Sequence, residues 1–454
     1  MVSNARNLLL VTLLGFAACS DGGSVPADPQ LVTKGSFTLM GQLTSGLLVA
    51  VDQNQALFTI DPSGGTVTQI VAKADGGARV SGNVVFVSHD INASNLGGLG
   101  TWTEATGYHD LGATNASVVS AFTDGTNVAY AENVDGTTFA ADMVVDTIDH
   151  AGAKTLFTQQ VYSLLPIIYG GKIILGHAPS TSPSLTGTIT SYDLGTGIGT
   201  DLLTSALIYY VNNTQKTAFV ASGSAGGNTL FDLAAGTMIT LPAEVLGATF
   251  SADGKSLYAT TNTGGFEVIT WSGSTASAQA PLLTSDVSNV FSGSANDKYV
   301  LYNSNFDDTT ESFDLKLLEL SAPSMGKTLA SDGIIFGAFS PDSSFVTFNV
   351  DVNQSTLIGT LMFAPVSTGV PVQLSNVAYT SAYVGSHQML VLEVSAAKPS
   401  VGDLELFDLT KPSTPTPLAS QIDTDYLLSN DGKTVYYTNS SALTPVGIYK
   451  QPLS

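Results

Sequence analysis

The sequence predicts an all-β fold, and three observations predict it. First, a phrase recurs. Phe250-Ser-Ala-Asp-Gly-Lys-Ser-Leu-Tyr-Ala-Thr returns as Phe339-Ser-Pro-Asp-Ser-Ser-Phe-Val-Thr-Phe-Asn and as Leu428-Ser-Asn-Asp-Gly-Lys-Thr-Val-Tyr-Tyr-Thr. Each copy is an apolar residue, a polar turn and an alternating run of β-branched and aromatic residues, which reads as strand, tight turn, strand. Second, weaker copies fill the gaps at spacings of 37–48 residues. Such a period of all-β units predicts the blades of a β-propeller. Third, 45 glycines and a near absence of helix-period patterning fit short strands joined by turns.

The large residue before each turn marks a unit. The markers are Leu43, Val80, Phe122, Tyr169 and Tyr210, then Phe250, Phe291, Phe339, Tyr383 and Leu428. Turn residues follow them: Thr123-Asp124-Gly125, Gly170-Gly171, Asn212-Asn213, Ser292-Gly293, and in the strong copies Asp253-Gly254, Asp342 and Asp431-Gly432. Gly, Asn and Asp tolerate positive φ or bond their own backbone, as tight turns require. A third strand is expected in each unit, at Ala56–Asp61, Asp142–Asp146, Phe266–Trp271, Leu315–Leu320 or Asp403–Leu409. Thr66–Val71 is a fourth. Four short strands in about 44 residues make one blade.

Ten markers predict about ten units; eight or nine, or two smaller rings in tandem, fit the spacing too. The last unit ends soon after Gly447-Ile-Tyr-Lys-Gln, without an outer strand. The segment Leu31–Phe37 has spare strand character and is expected to complete that unit and close the ring. Closure protects an edge that would otherwise invite aggregation. The three strong copies resemble the TolB-type, WD-like β-propeller repeat, near F-S-P-D-G-K-x-L-x-F. Phe250–Ala259 and Leu428–Tyr437 follow it, and Phe339–Phe348 replaces Gly-Lys with Ser343-Ser344. The resemblance implies fold, not function, because such rings serve as scaffolds, binders and accessory domains.

Before the ring, Arg6 precedes an apolar run from Leu8 to Ala18 that meets Cys19, the single cysteine of the chain. About 11 apolar residues are too few to span a bilayer and match a signal-peptide core. Ala17-Ala18-Cys19 resembles the lipobox of bacterial lipoproteins, with Phe16 where Leu or Val is usual. The resemblance implies acylation (palmitate included) at Cys19. Residues 1–18 are then a signal peptide, 19–30 a lipidated cysteine and polar tether, and 31–454 the propeller. Ser20, rather than Asp, points by analogy to the outer membrane. The expected location is the bacterial envelope, held by lipid.

The chain has 37 acidic and 15 basic residues, a net charge of −22. That excludes nucleic acid as a partner, since phosphates need Lys and Arg. A basic partner, a divalent cation or plain solubility fits the excess better. With Cys19 acylated, no thiol remains for disulfides or metal.

Motifs for catalysis are few. No G-x-S-x-G or H-E-x-x-H occurs. His89, His109, His150, His177 and His387 are scattered, although His89 and His177 both fall near the end of a second strand. The loop carrying Asp307, Asp308, Glu311 and Asp314 offers oxygen ligands to calcium, without EF-hand spacing. No cofactor is expected. The function expected is a non-catalytic binding or assembly module for an envelope protein, peptide or glycan. A propeller-type lyase or lactonase with an axial metal, and a structural surface protein, are the alternatives.

Overall fold

The computed structural model describes residues 29–453, apart from 163–165, 180–186, 212–217, 224–227, 242–244, 263, 280, 286, 308, 310–311, 324–325, 334–335, 354, 396, 399, 425 and 440–444. Among these residues the chain is a succession of short antiparallel strands, with one 3-10 turn at Val118–Ser120 and no α-helix. It is a β-propeller of four-stranded units.

Ten units follow one another. The first contains Phe37–Gln42, Leu48–Asp52, Leu57–Ile60 and Val67–Val71, paired in that order. Units 2, 6 and 7 (78–110, 245–278 and 289–333) repeat this as separate four-stranded sheets. Elsewhere the sheets run together. Gly199–Val211 is the outer strand of unit 4 at its start and the first strand of unit 5 at its end. Val372–Val384 joins units 8 and 9 in the same way. The outer strand of unit 3, Lys154–Tyr162, also pairs at its end with Lys172–Pro179 of unit 4. Register shifts in these long strands let one segment change sheets, as bulges do.

Packing explains the composition of the strands. The buried apolar residues form ten clusters among the described residues, and each lies between two successive units. Val85 and Val87 of Val84–His89 pack back on unit 1, whereas Val84 and Phe86 pack forward on unit 3. Leu257 and Ala259 face unit 5, and Tyr258 faces unit 7. Successive side chains point to opposite faces, so a sheet packed on both sides needs an apolar run such as Val-Val-Phe-Val rather than strict alternation.

The tenth cluster closes the circle. Leu39, Leu48, Ala50 and Ile60 of unit 1 meet Tyr436 and Ile448 of unit 10. Unit 10 is Tyr426–Leu428, Thr434–Asn439 and Gly447–Pro452, completed by Gln30–Lys34 from the other end of the chain. The expected closing segment, Leu31–Phe37, is therefore corrected at both ends. The closing strand starts at Gln30, and Phe37 already opens unit 1, because Gly35 at φ +132° turns the chain between them.

The units have two ends. One carries the turns between strands 1 and 2 and between 3 and 4. The other carries the turns between strands 2 and 3 and the crossings to the next unit. We call these the hairpin face and the crossover face.

Candidate functional site

The hairpin face is built from one repeated device. In unit 6 the Ser251 hydroxyl donates to Asp253 at 2.7 Å and accepts the Ser256 N–H at 2.9 Å, while Asp253 accepts the Lys255 N–H at 2.9 Å. Ser340 with Asp342 and Ser429 with Asp431 repeat it at 2.7 Å and 2.6 Å. These bonds hold the three carboxyls below the usual range. For Asp253 the Lys255 N–H matters most, and for Asp431 the Ser429 hydroxyl. At Asp342 burial is the largest influence and pushes upward, but the bonds from Ser344 and Ser340 outweigh it.

A fourth copy lies where the sequence reading had misplaced the turn. Ser292-Gly293 is not a turn but the end of the strand Asn289–Gly293, which also holds Phe291. The turn is Ser294–Lys298, in which the Ser294 hydroxyl donates to Asn296 at 2.9 Å and accepts the Tyr299 N–H. Gly293, not Phe291, matches Phe250 in register: Gly293 faces Val300 as Phe250 faces Leu257. A side chain is impossible there because a Cβ on Gly293 would meet the Tyr258 ring at 2.9 Å. Other markers sit as expected in first strands: Phe122 in Ala121–Thr123, Phe250 in Val245–Phe250 and Phe339 in Phe336–Phe339. Leu43 lies one residue past its strand, in the turn. Asn212-Asn213 falls outside the described residues.

The left-handed position of this turn is Gly254, Asp297, Ser343 or Gly432, at φ 71°, 54°, 64° and 68°. Where glycine is absent, the side chain reaches back to the preceding unit. Asp297 accepts the Ala252 N–H at 2.8 Å and the Tyr258 hydroxyl at 3.0 Å, and the Ser343 hydroxyl accepts the Asn296 N–H at 3.3 Å. Asn430 donates to Gln42 and to the Leu43 carbonyl at 2.8 Å and 2.9 Å, stapling unit 10 to unit 1. Strained φ values and conserved geometry here hold neighbouring turns together.

The histidines are committed one by one. His89 ends a second strand of unit 2 beside Asp90 at 3.1 Å, with its ring over Gly98, where any Cβ would collide with it. His150 holds the buried carboxylate of Asp146. His387 lies 3.6 Å from Asp342. His109 Nε2 reaches the Thr106 carbonyl at 3.0 Å. His177 stacks on Phe157 at 4.7 Å and contacts Gln160 at 2.6 Å, Thr190 at 3.0 Å and Tyr192 at 3.1 Å. Burial holds its imidazole below the ordinary range, opposed by Asp201. Thr190, which donates to Asp201 at 2.8 Å, is 2% exposed, so this His-Thr-Asp chain links a half-buried imidazole at the boundary of units 3 and 4 to an exposed carboxylate. His89 and His177 belong to different units: His89 lies beside Asp90 and Gly98 of its own unit, and His177 sits between units 3 and 4.

Of the calcium candidates, Asp308 and Glu311 fall outside the described residues, as does Cys19. Asp307 accepts the Thr309 N–H at 2.7 Å. Asp314 accepts from Asn305 at 2.7 Å, and Asn305 has φ 52°. Unit 3 repeats that bond: Asn133, φ 51°, donates to Asp142 at 2.9 Å. Asp142 also accepts the Gln159 N–H at 2.8 Å, and Asp403 accepts the Gln421 N–H at 3.0 Å in unit 9. Gln159 and Gln421 both have positive φ. An aspartate opening the third strand thus pins the kink of the outer strand. Among the described residues no three His, Cys, Asp or Glu side chains converge as a metal ion would need.

The crossover face carries what sequence reading missed. Asp135–Ala140 and Asn353–Ile358 are the same six-residue loop. In each, the first side chain accepts two N–H groups, and the fifth N–H bonds to the first carbonyl. The same loop closes hairpins at Asp61–Thr66 and Asp193–Ile198, with Gly65 and Gly197 at the left-handed fifth position. On the crossover face that position is Phe139 and Leu357, both at φ 59° and exposed by 67% and 39%. A bulky residue there is a true outlier. Phe306 and Leu246, 49% and 53% exposed, stand on the same face. No periodic pattern marks such residues; the paired loop phrase Asp/Asn-x-x-Thr-φ, with φ a large apolar residue, was the available signal.

No protein-family model matches the chain, and no curated protein matches it. Among solved structures it is similar to the tricorn protease at 11% identity and a TM-score of 0.30, covering 93% of this chain and 52% of that one. It thus spans about half the length of that protein. It is similar to the dihydro-heme d1 dehydrogenase NirN in complex with DHE at 11% identity and 0.42, over 73% of each chain. It is also similar to the Cps50 (Swd1) β-propeller domain of Myceliophteria thermophila at 10% identity and 0.33, over 63% and 93%. The class of fold is the β-propeller.

Proposed function

We propose that the chain is a single ring of ten blades that binds a basic protein or peptide on its crossover face, without catalysis. The observation that carries this reading is the pair Phe139 and Leu357. Both occupy a backbone conformation that costs about 1–3 kcal/mol for such residues, both are exposed, and the same loop elsewhere uses glycine. Strain kept at exposed apolar side chains is strain retained for a contact outside the chain. Large apolar residues on rigid loops are the anchors of recognition surfaces.

Charge names the partner class. Lysines gather on the hairpin face, as at Lys154, Lys172, Lys255, Lys298, Lys411 and Lys433. The crossover face holds Lys34, Lys73 and Lys398 against Glu132, Asp135, Asp307, Asp351, Glu393 and Asp423. Glu405 is pushed above its usual range, first by burial and then by Glu393 and Asp403. An apolar surface rimmed by carboxylates suits a cationic partner and repels anionic lipid. His150 and His177 support the non-catalytic reading, because they are engaged in holding a turn and a boundary between blades.

We further propose that Cys19 is acylated and that the tether behind it anchors the ring in the bacterial envelope, at the outer membrane. Labelled palmitate should tag the protein, and Cys19→Ser should abolish the tag. The binding reading is tested by retaining envelope proteins on the immobilised mature chain at low and high salt, beside a screen for lyase and lactonase turnover. Retention of basic proteins that falls with salt, and is lost in the Phe139→Gly/Leu357→Gly variant, is expected. Metal-dependent turnover with nothing retained would overturn the reading.

A further inference from the structure

Arg79 lies in Ala78–Ser81, the first strand of unit 2. First strands of neighbouring units pack side by side and so line the axis. Among the described residues it is the sole arginine. Its Cζ sits 5.3 Å from the ring centroid of Phe86 in its own unit and 5.5 Å from that of Phe122 in unit 3. Phe86 is fully buried between these two units. The guanidinium Nε is buried without a hydrogen-bond partner, and no carboxylate of the described residues pairs with the side chain.

This is an unusual place for a cation. Burial pushes its pKa down, yet a guanidinium stays protonated at any ordinary pH. A charge taken from water is costly unless it is paired. The two rings offset part of that cost, but cation–π attraction acts through the ring faces and accepts none of the N–H donors in the usual sense. Among the described residues, no carboxylate is set against this group. What remains open is a planar fork of donors, held in place by two aromatic rings, of the geometry that takes two oxygens of one oxyanion.

We propose that Arg79 is an oxyanion-binding residue in the axial wall between units 2 and 3. Its ligand is the carboxylate or phosphate group of a small molecule or chain end entering the ring. Phe86 and Phe122 are positioning residues that hold the fork. This site is separate from the crossover-face loops and stands or falls independently of them.

The test uses the whole mature chain at constant ionic strength, balanced with chloride. The probes are inorganic phosphate, followed by its phosphorus line width, and carbon-labelled acetate, followed by its carboxyl line width. Binding of at least one is expected in the natural protein, and the tighter of the two tells phosphate from carboxylate ligands. Arg79→Gln should weaken that binding by about tenfold or more. Arg79→Lys keeps the charge and loses the fork, so it should fall between them and serves if Arg79→Gln fails to fold in a urea melt. No broadening of either probe by the natural protein, or equal broadening with both variants, would overturn the proposal.

Discussion

The Tyr258 hydroxyl donates to Asp297 at 3.0 Å across the boundary between units 6 and 7. Tyr258 is 3% exposed, and burial together with the Asp297 carboxylate pushes its phenol above the usual range. Its ring is also what excludes a side chain at Gly293. One aromatic residue thereby fixes both the sequence and the position of the next unit's turn. Tyr258→Phe keeps the ring and removes the bond, so it should cost about 1–2 kcal/mol. Asp297→Ala loses the Ala252 N–H as well and should cost more. Urea melts of the two variants check the order.

Acid should unfold the chain through its turns. Asp253, Asp342 and Asp431 have carboxyls held below the usual aspartate range. A lowered folded pKa contributes stability that is present above the unfolded value and lost as pH falls through the folded one. The loss therefore falls below about pH 4. Unit 7 makes the same turn with Asn296, which does not titrate. Asp431→Asn should thus lower stability at pH 7 by what the ionised carboxyl contributes, and flatten the fall between about pH 4 and pH 2. Urea midpoints across that range measure it, and an unchanged slope would count against the turn as the source.

Closure rests on a close approach. A Cβ on Gly447 would meet the Thr33 carbonyl oxygen at 2.3 Å, and that oxygen belongs to the closing strand's backbone. Gly447→Ala should cost about 2 kcal/mol or more and promote aggregation by freeing an edge. Gly152→Ala, where a Cβ meets nothing within 4 Å, is the control and should be near neutral.

Relief of strain should show at the exposed loops. Phe139→Gly and Leu357→Gly replace left-handed bulky residues with the one residue that tolerates that φ. Each should leave the urea midpoint unchanged or raise stability by up to about 1 kcal/mol. A clear loss would mean that these side chains pack within the fold.

Most of the fold was legible because a repeat states itself many times. Phe250, Phe339 and Leu428 gave the period, and the truncated last unit pointed to an N-terminal closing strand, which is Gln30–Lys34. Unit 7 misled because Gly293 replaces its marker, and the reason, the Tyr258 ring, belongs to another unit. Such inter-unit causes leave no local pattern. The acidic loop at Asp307 and Asp314 read as a cation site, yet Asp314 takes the Asn305 amide, a role shared with Asp142 that emerges only when units are superposed by register. Arg79 was invisible because composition does not record a missing partner, and Phe139 and Leu357 had only a twofold loop phrase to mark them, since no residue type reports the sign of φ.

One face of the ring should do the binding. Photo-crosslinking residues placed singly at Phe139 and Leu357, and at Ile198 and Val370 on the hairpin face, test it in intact envelopes. All four natural side chains are exposed, by 67%, 39%, 69% and 60%, so exposure alone cannot separate the faces. A discrete adduct with a basic protein is expected from Phe139 and Leu357, and none from Ile198 and Val370. Adducts of equal yield from both faces, or from the hairpin face alone, would contradict it.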